Sequence, residues 1–433
     1  MSCISRLQKK RRRRKPPPPS LATGSAERTF LMVKSFLLLL IAAFLLAGCG
    51  GEPAEPAFAP ETPVEATVQK EEKPEDNSDA GVEPEPEPEI DPKQLAVSTL
   101  LESMTLEEKI GQLFFARCPQ SGVEEKIQEF HLGGVLLFTR DFKDFAGEWL
   151  DEAEFIDKIV SYQKASRIPL LVGVDEEGGT VARASRNPNL FPEKFRSPQQ
   201  VFAAGDMEGV REDARLKSCG LLEYGINVNF APVADVSINP EDFIYERSFG
   251  QDAGKTAEFV KAVVEEMTAA GIGSVLKHFP GYGNNVDTHT GIALDGRPAE
   301  QFWREDFLPF QAGIEAGAPA VLVSHNVVSC FDSDFPASLS KEAHRVLREE
   351  LGFEGVILTD DLAMGAVEAY AGDGSVAVLA VLAGNDMIVT TDFEEQIPLV
   401  ADAVRTGLIE EDFIHQAAER VLGWKFDLGL IGE

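Results

Sequence analysis

The strongest constraint on the fold is a regular alternation, beyond Pro92, of short apolar runs with longer segments of helical period. Continuous Val, Ile and Leu runs separated by helices are typical of parallel strands covered on both faces. Eight such units over ~340 residues predict one (β/α)8 barrel of the TIM type, an α/β fold. We expect strands at Gln112–Ala116, Gly134–Thr139, Pro169–Val174, Ile226–Val233, Gly273–Leu276, Ala320–Ser324, Gly355–Thr359 and Asp386–Thr390.

Charged residues follow five of these strands. A doubly wound sheet is the alternative fold, but no Gly-x-Gly-x-x-Gly follows the first strand. In a barrel, chemistry lies at the carboxyl ends of the strands, whereas a solvated rim would scatter charge over both ends. We therefore expect a polar site at this mouth. The charged groups are Asp175-Glu176-Glu177, Arg247, Lys277-His278, Ser324-His325 and Asp360-Asp361.

The first 48 residues are predicted to be a leader. Phe36 to Ala47 is an apolar stretch that ends in Leu46-Ala47-Gly48-Cys49 and resembles a bacterial lipoprotein signal with its processing box. This resemblance implies cleavage before Cys49, lipidation of Cys49 and an extracytoplasmic, membrane-anchored protein. The long basic lead suggests that translation starts at Met32. The alternative is that the basic run Lys9–Lys15 binds nucleic acid or acidic lipid.

Residues 49–92 are dominated by Pro, Glu and Ala, so we expect a disordered acidic tether there and the folded domain at 93–433. The net charge of the chain is −32, of which about −29 falls on residues 93–433. Such a protein is a poor partner for nucleic acid. We expect Cys118, Cys219 and Cys330 to be buried free thiols, because their number is odd and their spacing fits no metal site.

Several segments, in this order along the chain, resemble glycoside hydrolase family 3. The likeness extends from about Met104 to Leu430, and within the family the chain resembles the single-domain bacterial β-N-acetylglucosaminidases. It implies a retaining glycosidase that forms a covalent glycosyl-enzyme. The segments are Glu108–Phe114, Asp175–Gly179, Asn229–Asp235, Glu246–Gly250, Lys277–Gly281, Asp287–His289 and Gly355–Leu362.

The resemblance implies three catalytic residues. Asp360 matches the nucleophile, and a carboxylate at a strand end suits attack on an anomeric carbon. His289 matches the acid/base, and Asp287 matches the residue that orients it. An imidazole can exchange protons near neutrality without a large pKa shift. Asp361 is expected to cap the following helix.

The same resemblance implies a set of sugar-binding residues: Asp175, Arg183, Arg247, Lys277 and His278. The chain departs from the usual pattern at other positions. It has Glu176 where Gln is usual, Thr180 where Arg is usual, and Tyr282 where His is usual. Asn284-Asn285 stands for Asp-Thr, and Ser324-His325 for Ala-His. None of these departures touches the nucleophile or the His/Asp pair, but they leave the aglycone and amino-sugar preference open.

We expect no second sandwich domain after Leu430, so the β-glucosidase alternative loses the carboxylic acid that such a domain supplies. The leading interpretation is an exo-acting β-N-acetylglucosaminidase that acts on peptidoglycan fragments or related glycans. A phosphorylase using the same site and a catalytically silent glycan-binding lipoprotein are the alternatives. We expect a monomer without cofactor or metal, whose partners are its glycan substrate and, through the lipid, a membrane.

Overall fold

The eight predicted strands form one parallel sheet in a computed structural model, which describes residues 91–285, 293–364, 367, 369–370, 372 and 374–432. Two short strands, β6 Leu294–Asp295 and β8 Val327–Val328, pair with each other outside this sheet. The barrel strands are β1 Phe114–Arg117, β2 Gly134–Leu137, β3 Leu171–Val174, β4 Val228–Asn229, β5 Gly273–Phe279, β7 Ala320–Val323, β9 Val356–Thr359 and β10 Ile388–Thr390.

The sheet closes on itself, which makes it a barrel. The strands lie in the order β10-β1-β2-β3-β4-β5-β7-β9. A parallel bridge between Leu358 and Met387 then joins the β9 edge to the β10 edge. The predicted (β/α)8 fold is confirmed.

Helices surround the barrel, and side-chain caps fix where several of them begin. Thr105 and Glu108 form a reciprocal capping box at one helix, and Ser197 and Gln200 form another. A π-helical turn, Phe302–Asp306, lies between the helices Ala299–Gln301 and Phe307–Glu315. The helices are α1 Pro92–Glu102, α2 Leu106–Gln112, α3 Val123–Phe130, α4 Glu152–Ala165, α5 Pro198–Glu223, α6 Ala253–Ala270, α7 Ala299–Gln301, α8 Phe307–Glu315, α9 Lys341–Arg345, α10 Val376–Ala383, α11 Phe393–Arg405 and α12 Glu411–Asp427.

All eight strands differ from their predicted bounds by at least one residue, and the differences are largest in the first, fourth and fifth strands. Gln112 ends helix α2 instead of starting the first strand, and that strand runs on to Arg117. The fourth strand is only Val228–Asn229, because Pro232 has no N–H to continue the ladder. The fifth continues through Lys277 to Phe279 with a shift of register.

The barrel interior is filled by apolar side chains and is closed at its amino end by helix α12. Trp424 and Val421 belong to the same buried cluster as the inward residues of the strands. Gly273, the first residue of β5, allows this approach, since a Cβ there would lie 2.8 Å from the Trp424 ring. Among the described residues, helix α12 therefore covers the amino end of the barrel, and the carboxyl ends of the strands form its open side.

The cysteine prediction holds in part. None of the three cysteines forms a disulfide, and Cys118 is buried. Cys330 is exposed, so the expectation of burial is wrong there, because this residue lies on the surface turn that follows β8. Cys219 is only half-buried.

Across the described residues, every helix is too short or too polar to cross a bilayer. The predicted leader, Cys49 and nearly all of the predicted tether lie outside the described residues.

Candidate active site

Polar side chains occupy the inward positions directly above the apolar barrel interior. Successive residues of a strand point to opposite faces. On β5, Val275 lies in the interior cluster, and Lys277 is the next inward residue. On β9, Leu358 and Asp360 have the same spacing. The matching inward residues at the ends of β1, β2 and β3 are Arg117, Phe138 and Asp175.

A cavity of about 500 Å³ opens at this end of the barrel. Its floor is apolar and includes Leu136, Phe230 and Leu322 from the barrel interior. The volume lies in the range of sites for small molecules. The structure brings six of the predicted site residues to this one cavity, namely Asp175, Arg183, Arg247, Lys277, His278 and Asp360.

Lys277 is the centre of a buried ion network. Its Nζ lies 2.7 Å from Oδ1 of Asp175 and 2.6 Å from Oε1 of Glu177. Glu177 also accepts hydrogen bonds from Nε of Arg247 at 3.1 Å and from Nη2 at 2.8 Å. This two-point contact fixes the guanidinium plane. Two cations are therefore held against two carboxylates inside the cavity wall.

Glu177 stays ionised although it is buried. Burial favours its neutral form, but Arg247 and Lys277 outweigh that effect and hold the pKa of the carboxyl far below its usual value. Glu177 therefore orients two cations and does not exchange protons near neutrality. Sequence reasoning grouped it with the charged mouth but did not assign it to the site.

His278 is fixed between Asp235 and Arg247. Nη2 of Arg247 lies 3.1 Å from Nε2 of His278, and Arg can only donate, so Nε2 accepts. The proton of a neutral imidazole is then on Nδ1, which lies 2.7 Å from Oδ2 of Asp235. Asp235 also accepts the backbone N–H groups of His278 at 3.1 Å and Tyr282 at 2.7 Å. Asp235 thus fixes the tautomer of His278 and the backbone turn from His278 to Tyr282.

The loop after β3 is shaped by Glu176, which is fully buried. Oε2 of Glu176 accepts the backbone N–H groups of Arg183 at 2.9 Å and Ala184 at 2.8 Å, and the Ser185 hydroxyl donates to Oε1. Burial raises the pKa of this carboxyl. Gly178 has φ +95°, and a Cβ there would lie 2.1 Å from a backbone carbonyl oxygen. The loop therefore places Arg183 at the cavity.

The two aspartates after β9 have different surroundings. Asp360 is half-buried at the cavity, and its Oδ1 accepts the N–H of Asp361 at 2.9 Å. Asp361 turns to its own backbone, where Oδ1 accepts the N–H of Ala363 at 3.0 Å. Burial, together with the neighbouring Asp360 charge, raises the pKa of Asp361. His325 donates from Nε2 to the Asp361 carbonyl at 3.1 Å and so supports this turn.

Two arginines share one aromatic ring in the cavity. The guanidinium carbon of Arg117 lies 4.0 Å from the centroid of Phe138, and that of Arg183 lies 5.6 Å from it. These distances are typical of cation–π contacts. Arg117 was placed by the sequence at the end of the first strand, without a role.

Asp287 and His289 lie outside the described residues. The residues on either side of that segment are tied together, since Nδ2 of Asn285 donates to Oδ2 of Asp295 at 2.8 Å. Arg297 also donates to Asp295 and lies 2.8 Å from Oδ2 of Asp306. Asn285, the last described residue before the segment, also donates from Nδ2 to the carbonyl of Tyr282 at 2.9 Å, and Tyr282 lines the cavity.

The residues that sequence reasoning left without a role are Glu177, Asp235 and Arg117. Two signals could have found them. Arg117 follows the inward residue Phe115 by two positions, which is the strand period. Glu177 and Asp235 are acids beside predicted strand ends, but their partners come from other strands and only the fold pairs them.

A parallel barrel with paired charges and carboxylates at its carboxyl mouth defines a barrel enzyme with a polar small-molecule site. Comparison with known proteins gives the family. Residues 105–423 match the Glycosyl hydrolase family 3 N terminal domain, and the chain belongs to this family of glycoside hydrolases.

Relatives in sequence carry one name. A beta-hexosaminidase of Xanthomonas campestris pv. campestris (strain B100) is 32% identical over 314 residues, which cover 71% of this chain and 87% of the relative. A beta-hexosaminidase of Xylella fastidiosa (strain M12) is 35% identical over 257 residues, covering 57% of this chain and 72% of the relative.

Solved structures agree with the fold. A glycoside hydrolase family 3 beta-N-acetylglucosaminidase from Paenibacillus sp. str. FPU-7 superposes with a TM-score of 0.69 at 31% identity, over 76% of this chain and 63% of that one. The chain thus spans less than two thirds of the Paenibacillus protein. A beta-N-acetylhexosaminidase from Beutenbergia cavernae DSM 12333 gives a TM-score of 0.63 at 32% identity, over 74% of this chain and 98% of that one.

Proposed function

We propose that this protein is a retaining, exo-acting β-N-acetylglucosaminidase that removes terminal N-acetylglucosamine from peptidoglycan fragments or related glycans. The observation that carries the proposal is the position of Asp360. It lies at a cavity that is also lined by Asp175, Lys277 and Arg247, and the buried Glu177 holds Lys277 and Arg247 in one ion network. The beta-hexosaminidase relatives support the choice of sugar.

The geometry supports different roles for two sides of the cavity: β3 and β5 carry residues that bind the sugar, and β9 leads to the nucleophile. In the strand order, β9 with Asp360 lies two strands from β5 and four from β3. A sugar whose hydroxyls bind Asp175, Lys277 and Arg247 would therefore present its anomeric carbon towards Asp360. Carboxylate attack from that side would form the glycosyl-enzyme while the glycosidic bond breaks and the leaving oxygen takes a proton from the acid. Water, which returns a proton to the same group, would then release the sugar from the carboxylate.

The proton is assigned to His289, with Asp287 as its orienting partner. This part of the proposal depends on the sequence resemblance, supported by the tie between the residues that flank the segment. If His289 donates the proton, substrates with poor leaving groups depend on it far more than activated aryl substrates do. In the proposed scheme, His289→Ala loses most activity on a disaccharide and much less on an aryl glycoside. Asp287→Ala follows the same pattern more weakly.

We also propose that the mature protein begins at a lipid-modified Cys49 and is tethered outside the cytoplasmic membrane by residues 49–92. The apolar segment that ends in Leu46-Ala47-Gly48-Cys49 supports this. Cys49→Ala is expected to release the protein from membranes or to stall processing. A membrane-bound mature protein that begins at Ala47 or earlier would contradict the anchor.

Hydrolysis of matched chromogenic substrates tests the activity. The N-acetyl-β-glucosaminide is expected to be cleaved with a far higher kcat/KM than the β-glucoside, with release of the free sugar whether or not phosphate is present. Preference for the glucoside would reject the sugar assignment. Release of sugar 1-phosphate in phosphate buffer would replace hydrolysis by phosphorolysis.

A further inference from the structure

A second buried ion cluster lies beside the turn that follows β5. Its centre is Arg297, whose side chain is 16% exposed, between Asp295 and Asp306, whose side chains are each 2% exposed. Nε and Nη2 of Arg297 donate to Oδ2 of Asp295 at 2.9 and 2.8 Å, and Nη1 donates to Oδ2 of Asp306 at 2.8 Å. The guanidinium is thus held by carboxylates on two of its edges, which fixes its plane.

The turn after β5 packs directly on this cluster. Nη2 of Arg297 also donates to the carbonyl of Gly281 at 3.2 Å. Gly281 has φ +122° and Gly283 has φ +55°, conformations that side chains rarely allow. A Cβ on Gly281 would overlap Oδ1 of Asp306, and one on Gly283 would lie 2.6 Å from the guanidinium carbon of Arg297. The ion cluster therefore contacts the backbone of the turn itself.

Asn285 connects the end of the turn to the same cluster. Its Nδ2 donates to Oδ2 of Asp295 at 2.8 Å and to the carbonyl of Tyr282 at 2.9 Å. Asp295 ends the short strand β6, which begins directly after Ala293 and pairs with β8. Asn285 and Ala293 are the described residues on either side of residues 286–292. One cluster thus anchors the chain both before and after that segment.

The turn also connects the cluster to the cavity. Oδ2 of Asp235 accepts the N–H of His278 at 3.1 Å, and Oδ1 accepts the N–H of Tyr282 at 2.7 Å. Both His278 and Tyr282 line the cavity. Arg297 therefore reaches the cavity wall through an unbroken series of hydrogen bonds and backbone contacts, which is how energetic coupling between separate groups is carried.

A purely structural role is the alternative for this cluster. Removing one partner of a buried ion pair leaves an uncompensated charge and destabilises the fold. Such a role would lower activity equally with every substrate, because only the amount of folded enzyme changes. A role in proton transfer would instead give a loss that depends on the leaving group, since an activated aryl group departs with little help from an acid.

We infer that Asn285 and Arg297 are positioning residues for the proton-transfer step. They anchor the backbone on both sides of residues 286–292, which carry Asp287 and His289. The inference rests on the proposed function, which assigns the proton to His289, and it adds two residues that act through that group. A displacement of about 1 Å in a reacting group can cost about 10²-fold in rate, so the anchoring of both ends affects the acid directly.

The test varies the leaving group. Each variant is assayed on a β-linked N-acetylglucosamine disaccharide and on an activated aryl N-acetyl-β-glucosaminide. Asn285→Ala is expected to lower kcat/KM about tenfold on the disaccharide and about twofold on the aryl substrate. Arg297→Lys keeps the charge but cannot bridge both aspartates and the turn, so a loss with the same pattern is expected. The controls Gln416→Ala and Arg304→Lys, which alter exposed pairs elsewhere, are expected to keep both rates.

A double-mutant cycle with His289→Ala shows what these residues act through. In that background, Asn285→Ala is expected to cost nothing further on the disaccharide, because the group it positions is absent. Losses that multiply, equal losses on both substrates, or no loss in Asn285→Ala would each overturn the inference and leave the glycosidase intact.

Failure of the proposed function would look different. Wild type would then cleave neither substrate, or His289→Ala would lose equal activity on both, which would remove the acid on which the inference depends. Asp295 keeps its ion pair with Arg297 in Asn285→Ala, so this variant decides the matter even if Arg297→Lys does not fold.

Discussion

Two lysines show how differently the two ends of the barrel accommodate a buried amine. Lys277 at the carboxyl mouth is 2% exposed, and Lys425 at the amino end is 0% exposed. Lys277 contacts two carboxylates. Within the described residues, Nζ of Lys425 has one hydrogen-bond acceptor, Oε1 of Gln112 at 2.6 Å.

Burial without a carboxylate partner changes the pKa of Lys425. Burial lowers the pKa of Lys425 to about 7, because no carboxylate offsets its loss of water. At the mouth, the same kind of side chain is kept in an ion network that also positions Arg247. At the amino end, the buried lysine is part of the packed side chains that close the barrel. At the mouth, ion pairs fix the positions of the charged side chains around the cavity where a ligand can bind.

The largest expected effect is at the mouth. Asp360→Ala removes the proposed nucleophile, and kcat is expected to fall by about 10⁴-fold or more, because the remaining groups only bind substrate. The thermal midpoint should stay close to that of wild type. Steady-state assays with an aryl N-acetyl-β-glucosaminide measure this. Substantial retaining activity in the variant would remove Asp360 from its role.

The ion network is expected to give the next largest effect. Glu177→Gln leaves Lys277 and Arg247 with one buried carboxylate fewer, and the free energy of unfolding is expected to fall by about 3–5 kcal/mol. Denaturant unfolding measures the change. Glu107→Gln is the matched control, because its pair with Arg405 is exposed, with 53% of each side chain accessible. That change should cost less than about 1 kcal/mol, and equal losses would contradict the comparison.

Lys425 tests the other end. Its folded pKa lies below that of the unfolded chain, so the unfolded state binds more protons between about pH 7 and the usual lysine value, and stability rises with pH there. Below about pH 7 the full cost is present. Lys425→Met is therefore expected to stabilise the protein by roughly 2–4 kcal/mol at pH 7, and the gain should disappear above about pH 10.5.

The control for Lys425 is the exposed Lys261. Lys261→Met should leave the pH dependence of unfolding unchanged. Destabilisation of the protein by Lys425→Met at pH 7 would contradict this prediction. It would mean that the buried amine gains more from its contacts than the hydrogen bond to Gln112 provides.

The smallest expected effect concerns orientation at the mouth. Asp235→Asn removes the charge that holds the Nδ1–H tautomer of His278, and kcat/KM is expected to fall about tenfold. Nitrogen NMR of labelled histidine should show the Nδ1–H form in wild type and a mixture in the variant, with partial rescue in Asp235→Glu. An Nε2–H tautomer in wild type would contradict the proposed orientation of His278.

Much of this architecture could be predicted from sequence because the strand signal is local. Continuous apolar runs identified all eight barrel strands. The strand-end rule and the family resemblance together named six residues that line one cavity. Pairing across strands is not local, so the roles of Glu177 and Asp235 could not be read from their positions. β4 is shorter than predicted because Pro232 has no N–H to continue the ladder. Cys330 is exposed because it lies in the turn after β8, and no periodicity in the sequence predicts that turn.

The central claim is that Asp360 carries the sugar during the reaction. A fluorinated N-acetylglucosaminyl fluoride that forms the glycosyl-enzyme quickly and loses it slowly tests this directly, with peptide mass spectrometry as the readout. We predict one added glycosyl group on the peptide that contains Asp360, and none in Asp360→Asn. A label on any other residue, or complete turnover without a covalent species at Asp360, would contradict the account.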